Sequence, residues 1–216
     1  MTDFFKKMFC GSLPHFLILY STIPLILFSG CVMKPAPTSG FLGDYSQFKT
    51  LKEGEPLSVD KHAGRGLQDY SKIMIDPIEV NFHAKAKGKN IPLKTLDNLL
   101  DYFHGALLKE VKDSHWILVE QPGEDVVRLR VALTDVAPSM QILNLAVTST
   151  ASGLGTGWAA MEAEFVDSVT GERVLALTDQ RKGNRAVYFR GWSRWGHTRN
   201  VFNQWARLLI KDSPQL

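Results

Sequence analysis

The chain has 216 residues, 44% apolar and 22% charged, with a formal net charge of +3. That is the composition of an ordinary folded protein, long enough for one core and one domain once any leader is set aside. The near balance of 25 basic and 22 acidic side chains excludes the basic surface of a bulk nucleic-acid binder, and two cysteines exclude a disulfide scaffold.

The first element is a leader. Lys6 and Lys7 form a positive start, and residues 16–28 are an apolar run interrupted by Pro24. A run of about 13 residues is too short for a bilayer, which needs about 20, and has the length of a secretory signal. Ser29 and Gly30 are the small residues a signal peptidase needs beside its cut, and Cys31 follows directly. The segment Leu27-Phe28-Ser29-Gly30-Cys31 resembles the bacterial lipobox, with Phe28 where that motif usually has Leu. The resemblance implies cleavage before Cys31 and lipid on its thiol; several acyl chains hold a membrane stably where one does not. Val32 in place of the Asp that retains lipoproteins at the inner membrane implies the outer membrane of a Gram-negative cell, facing the periplasm. Cys10 leaves with the leader, so the mature chain keeps one Cys and no internal disulfide.

Residues 32–47 carry Pro35, Pro37, Gly40 and Gly43 and are expected to be tether. Residues 52–69 read as irregular surface. The domains expected are 1–30 signal peptide, 31–50 acylated Cys and flexible tether, and 51–216 a single α+β periplasmic domain.

Alternation predicts a strand over 71–82, with a bulge or edge position at Pro77, which has no N–H for a ladder. A basic turn at 83–90 leads to the best helix. There Leu96, Leu99, Leu100, Phe103, Leu107 and Val111 form one stripe, with Pro92 in the first turn and Lys109 and Lys112 near the end. Short apolar residues at 116–119 predict a strand, and 121–125 a turn. Over 126–136, Val127, Leu129, Val131 and Leu133 alternate with Arg128, Arg130, Ala132 and Thr134, which predicts a strand with a partly solvated second face.

Residues 138–157 lack periodicity and read as a long loop, with room for a short helix near 140–146. Strands over 158–167 and 173–178 are joined by a turn in which Asp167 and Ser168 bond the backbone and Gly171 supplies positive φ. A last helix over 198–211 buries Val201, Phe202, Trp205, Leu208 and Leu209. The sum is α+β: a mostly antiparallel sheet of about five strands with two helices packed on one face, in the order β-α-β-β-loop-β-β-α.

Five segments together are familiar: Ser39-Gly40-Phe41-Leu42 with Asp44-Tyr45-Ser46, Ile75-Asp76-Pro77, residues 128–136, Met161-Glu162-Ala163-Glu164-Phe165, and residues 167–172. They resemble an uncharacterised family of Gram-negative lipoproteins built on a domain of unknown function. The resemblance implies the same lipid anchor and no particular activity. The turn at 167–172 is also similar, at the level of fold, to that of periplasmic domains of the TolB amino-terminal type, which act by binding partners.

No catalytic motif is present. The histidines stand at no metal-ligand spacing, and Asp101 and His104, one helical turn apart, read as a solvated pair. Gly153, Gly155 and Gly157 precede a strand, where a phosphate loop would open a helix. No cofactor or metal is expected. The unusual chemistry lies in 181–199, where Arg181, Lys182, Arg185, Arg190, Arg194 and Arg199 occur without an acid and with Tyr188, Phe189, Trp192 and Trp195 interleaved. Guanidinium forks take carboxylates and phosphates, and aromatic faces stack on sugars or guanidinium. Two readings stand: Trp192 and Trp195 fill the core while the arginines are solvated, or Arg181, Arg185, Tyr188, Arg190, Trp192, Arg194, Trp195 and Arg199 form a binding patch. The function expected is a non-enzymatic binding or adaptor module in the cell envelope. Its partners are the membrane, through the anchor, and an envelope protein or peptidoglycan, with no nucleic acid. The alternatives are a hydrolase using Asp135, Glu162 or Glu164 and an oligomeric secretion or pore component.

Overall fold

The computed structural model describes residues 37–50, 57–61, 64–139, 157–182 and 194–216. The leader, Cys31 and most of the expected loop at 138–157, including the helix expected near 140–146, lie outside these residues.

Eight strands form one sheet: β1 (Lys49–Thr50), β2 (Ser58–Lys61), β3 (Lys72–Ile75), β4 (Glu79–Val80), β5 (Ile117–Leu118), β6 (Val126–Ala137), β7 (Trp158–Asp167) and β8 (Arg173–Lys182). Their order is β1-β2-β8-β7-β6-β3-β5, with β4 also alongside β6. The expectation of about five strands is corrected. β1 and β2 arise from segments too short and too polar to show alternation, and the expected strand over 71–82 is two strands. Pro77 separates these, yet Asp76 N and Asn81 N still bond the carbonyls of Leu129 and Leu133, so both follow β6. The ladders from β1 to β6 are antiparallel, whereas β3 and β4 run parallel to β6, and β5 runs parallel to β3.

Two helices stand where the apolar stripes placed them, α1 at Leu93–Lys112 and α2 at Gly196–Arg207, the latter continuing through a π-turn at Leu208–Asp212. Leu99, Phe103 and Leu107 of α1 and Val201, Phe202 and Trp205 of α2 share one buried cluster with Leu129, Val131 and Leu133 of β6 and Met161 and Phe165 of β7. Phe103 and Phe202 stack with centroids 4.7 Å apart. Trp116 Nε1 donates to the Ile210 carbonyl at 2.9 Å, which ties the start of β5 to the π-turn.

A bulge in β6 decides where one acid points. Leu133 faces Met161, but Asp135 faces Ala160, so Thr134 is the extra residue. Strict alternation would leave Asp135 on the core side with Leu133; the bulge puts it on the second face and returns Val136 to the core. The strand opposite begins just after Gly157, whose φ is +65° and where an added Cβ would lie 2.8 Å from the Ala137 carbonyl oxygen. Gly157→Ala is therefore expected to cost about 1–3 kcal/mol in a denaturant melt, from backbone strain plus a contact with main chain that cannot swing away.

Candidate functional site

The second face of the sheet is partly solvated, as alternation predicts, with Arg128 and Arg130 44% and 35% exposed, but its middle is covered. Ala132, Ala160 and Ala176 are fully buried there, and Glu162 and Glu164 are 2% and 4% exposed. What covers part of it is a stretch of the expected tether. Glu162 accepts from Ser39 N at 2.7 Å, Ser39 Oγ at 2.9 Å and Tyr45 hydroxyl at 2.6 Å. The Tyr45 oxygen in turn accepts from Gly40 N and Leu42 N, so residues 39–45 close on themselves as a strap. Gly40 and Gly43 have φ of +92° and +72°, which permits that tight reversal. The expected flexible tether over 31–50 is corrected for 37–50: these residues have no apolar periodicity, but their donors find a carboxylate 117 and 123 positions away.

Burial and donation to Glu162 push the Tyr45 hydroxyl up to about 12, and burial and Asp167 do the same to Tyr70. A phenol raised above its unfolded value of about 10 contributes stability that is whole below that pH and is lost as pH rises through 12. The slope of unfolding free energy between pH 10 and 12 is thus expected to report about one proton fewer in Tyr45→Phe than in the wild type.

Beside the strap lies a ladder of opposite charges. Residues two apart on a strand share a face, so β6 presents Arg128 and Arg130 and β7 presents Glu162 and Glu164, with Arg130 directly across from Glu164. Arg130 Nη1 reaches Glu164 Oε1 at 2.6 Å, and Arg173 Nε reaches Glu164 Oε2 at 2.9 Å. Arg173 also donates to the Leu42 carbonyl, and the Arg130 guanidinium lies 5.1 Å from the Phe41 ring centre, so both arginines touch the strap. Arg128 grips Asp76 through Nε and Nη2, the shortest contact being 2.7 Å. Asp76, Glu79, Arg128, Arg130, Glu164 and Arg173 line a groove of about 460 Å³. Neither strap nor groove shows in the sequence as a motif. The available signal was the match between the Arg face of 126–136 and the Glu face of 158–167, once those strands are paired.

Asp135 belongs to a different arrangement. Its Oδ1 accepts from Lys87 N, Gly88 N and Val136 N at 2.8, 3.1 and 2.8 Å, and its Oδ2 accepts from Trp158 Nε1 at 2.9 Å. It thereby pins the turn at Lys87–Asn90 to the sheet, and Lys87 Nζ lies 4.1 Å over the Trp158 ring. Asp135, Glu162 and Glu164 therefore have separate partners.

The expected patch at 181–199 is described only at its ends. Arg181 Nε bonds Asp179 Oδ2 at 2.6 Å, and its Nη1 bonds Gln204 at 2.8 Å. Asp179 is fully buried and also takes Trp205 Nε1 at 2.9 Å, so Arg181 serves the join between β8 and α2. Trp195 is half-buried against the core, Arg194 is exposed, and the Arg199 guanidinium lies 5.2 Å from the Tyr102 ring centre. Arg185, Tyr188, Arg190 and Trp192 lie outside the described residues. Asp101 and His104 form no pair: Asp101 is exposed and His104 Nδ1 is enclosed without a partner among the described residues.

A family model described as "Protein of unknown function (DUF3313)" matches residues 37–209. The chain belongs to the DUF3313 family. Both strap and groove of this DUF3313 chain fall inside the matched span. No curated protein matches it in sequence. Among solved structures it is similar to the PelC dodecamer of Paraburkholderia phytofirmans, at 14% identity over 73% of this chain and 96% of that one, with a TM-score of 0.43. A point variant of that PelC dodecamer gives 12% identity over 72% and 98%, with a TM-score of 0.40. The hypothetical protein CT253 of Chlamydia trachomatis gives 6% over 67% and 98%, with a TM-score of 0.38. At these values the likenesses carry no argument about what the DUF3313 chain does.

Proposed function

We propose that the chain is a lipoprotein anchored through Cys31 to the outer membrane, facing the periplasm, and that it acts as a non-enzymatic binding or adaptor module of the envelope. The observation that supports a binding role over the hydrolase alternative is the fate of the three candidate carboxylates. Asp135 holds backbone amides and an indole, Glu162 holds the strap, and Glu164 holds two guanidinium groups. General acid–base chemistry on a substrate needs a carboxyl group with a face turned to that substrate. Asp135 and Glu162 are buried among their own donors, and Glu164, at the wall of the groove, has both oxygens taken by guanidinium groups.

The proposed anchor also sets a distance. Seven residues, or eight backbone steps, separate Cys31 from Ser39, where the strap is first bonded. Fully extended, they reach about 28 Å. The domain is then held close to its leaflet, which suits a partner in or at that membrane. Cells fed radiolabelled palmitate test the anchor: label is expected on the wild-type chain and none on Cys31→Ser, which is expected in the soluble periplasmic fraction. Equal fractionation of the two chains overturns it. The binding role is tested by crosslinking in intact cells, where repeated recovery of a defined envelope neighbour is expected and its absence counts against an adaptor.

A further inference from the structure

We infer that the groove between Asp76, Glu79, Arg128, Arg130 and Arg173 binds a zwitterionic phospholipid headgroup, a phosphate diester carrying an ammonium group. The inference rests on the anchored reading above, because the proposed seven-residue link is what brings the groove within reach of headgroups. Arg130 and Arg173 contact the strap as well as lining the groove, so the groove adjoins the strap.

The charges are unequally engaged. Arg128 uses Nε and Nη2 on Asp76, yet its side chain is 44% exposed, and a guanidinium has five N–H donors. Glu79 is 55% exposed, and its contact with Arg130 Nη2, at 3.8 Å, is longer than a hydrogen bond. The groove therefore offers outward guanidinium N–H groups beside a half-exposed carboxylate. Phosphate oxygens take the first in the forked geometry arginine favours, and an ammonium takes the second. Three arginines and three carboxylates line the groove, so its formal charges cancel and a simple anion gains no net charge attraction. A ligand carrying both signs satisfies both ends.

The test uses the full lipidated chain in non-ionic detergent, titrated calorimetrically with dihexanoyl phosphatidylethanolamine against protein-free micelles. Dihexanoyl phosphatidylglycerol, inorganic phosphate and the dipeptide Ala-Ala are run beside it. Saturable binding of the ethanolamine lipid is expected, at least tenfold tighter than the other three. Arg128→Gln is expected to weaken it at least tenfold. Should that variant fold poorly for want of the Asp76 contact, Glu79→Gln decides, since among the described residues this exposed side chain has only the 3.8 Å contact with Arg130 to lose. It is expected to weaken the ethanolamine lipid at least fivefold and leave the glycerol lipid unchanged. No saturable binding, equal binding of inorganic phosphate or the glycerol lipid, tighter binding of the dipeptide, or wild-type binding by Glu79→Gln overturns the assignment. An unlabelled Cys31 with intact headgroup binding counts against the anchor alone, and a palmitate-labelled chain without binding counts against the groove alone.

Discussion

Asp135→Ala is expected to lower the unfolding free energy by about 3–5 kcal/mol, the range reached when several buried donors lose one acceptor. Asp135 is 4% exposed and holds four donors, two of them on a turn 47 and 48 residues away in sequence. Water cannot readily replace it at the Gly88 amide, because that glycine is packed so closely on the Phe82 ring that even a Cβ there would lie 2.4 Å from it. Asp135→Asn keeps an oxygen for the three backbone amides but turns an NH2 group toward Trp158 Nε1, so its cost is expected to be smaller, about 1–2 kcal/mol. A chemical melt separates the two: the midpoint falls in that order while the denaturant slope stays at the wild-type value. Equal midpoints for Asp135→Ala and wild type would remove Asp135 from its place as the pin of the Lys87–Asn90 turn.

Glu162→Ala is the second large effect, and its form differs. The donors it abandons, Ser39 N, Ser39 Oγ and Tyr45 hydroxyl, belong to a strap whose outer side already meets water, so they find solvent once the strap lifts. The loss is expected to be local, about 2–3 kcal/mol in the opening of 39–45 with little change in the melt of the core. Proteolysis through local opening follows the population of the open form, so chymotryptic cleavage after Phe41 or Tyr45 is expected to quicken roughly 30- to 150-fold. Unchanged cleavage would mean that the strap is held by something other than Glu162. On the proposed anchor, release has a geometric consequence. The first held residue moves from Ser39 to Lys49 at the start of β1, and the reach from Cys31 grows from about 28 Å to about 60 Å.

Residue order by itself determined the elements that carry a period. The stripe of Leu96, Leu99, Phe103 and Leu107 placed α1, that of Val201, Phe202 and Trp205 placed α2, and alternation placed β6 and β7. The turn from Asp167 was legible because its bonds are local: Asp167 Oδ1 accepts from Val169 N and Thr170 N, and Gly171 has φ of +73°. A two-residue strand such as β1 has no period to read, and parallel pairing of β3 and β4 with β6 depends on partners some 50 residues away. Only the tertiary structure decided that a Pro- and Gly-rich stretch docks, that a bulge turns Asp135 away from the core, and that Glu162 is buried. A side chain's burial is a property of what the rest of the chain lays over it, and for Glu162 that cover comes from the other end of the described fold, 123 residues earlier.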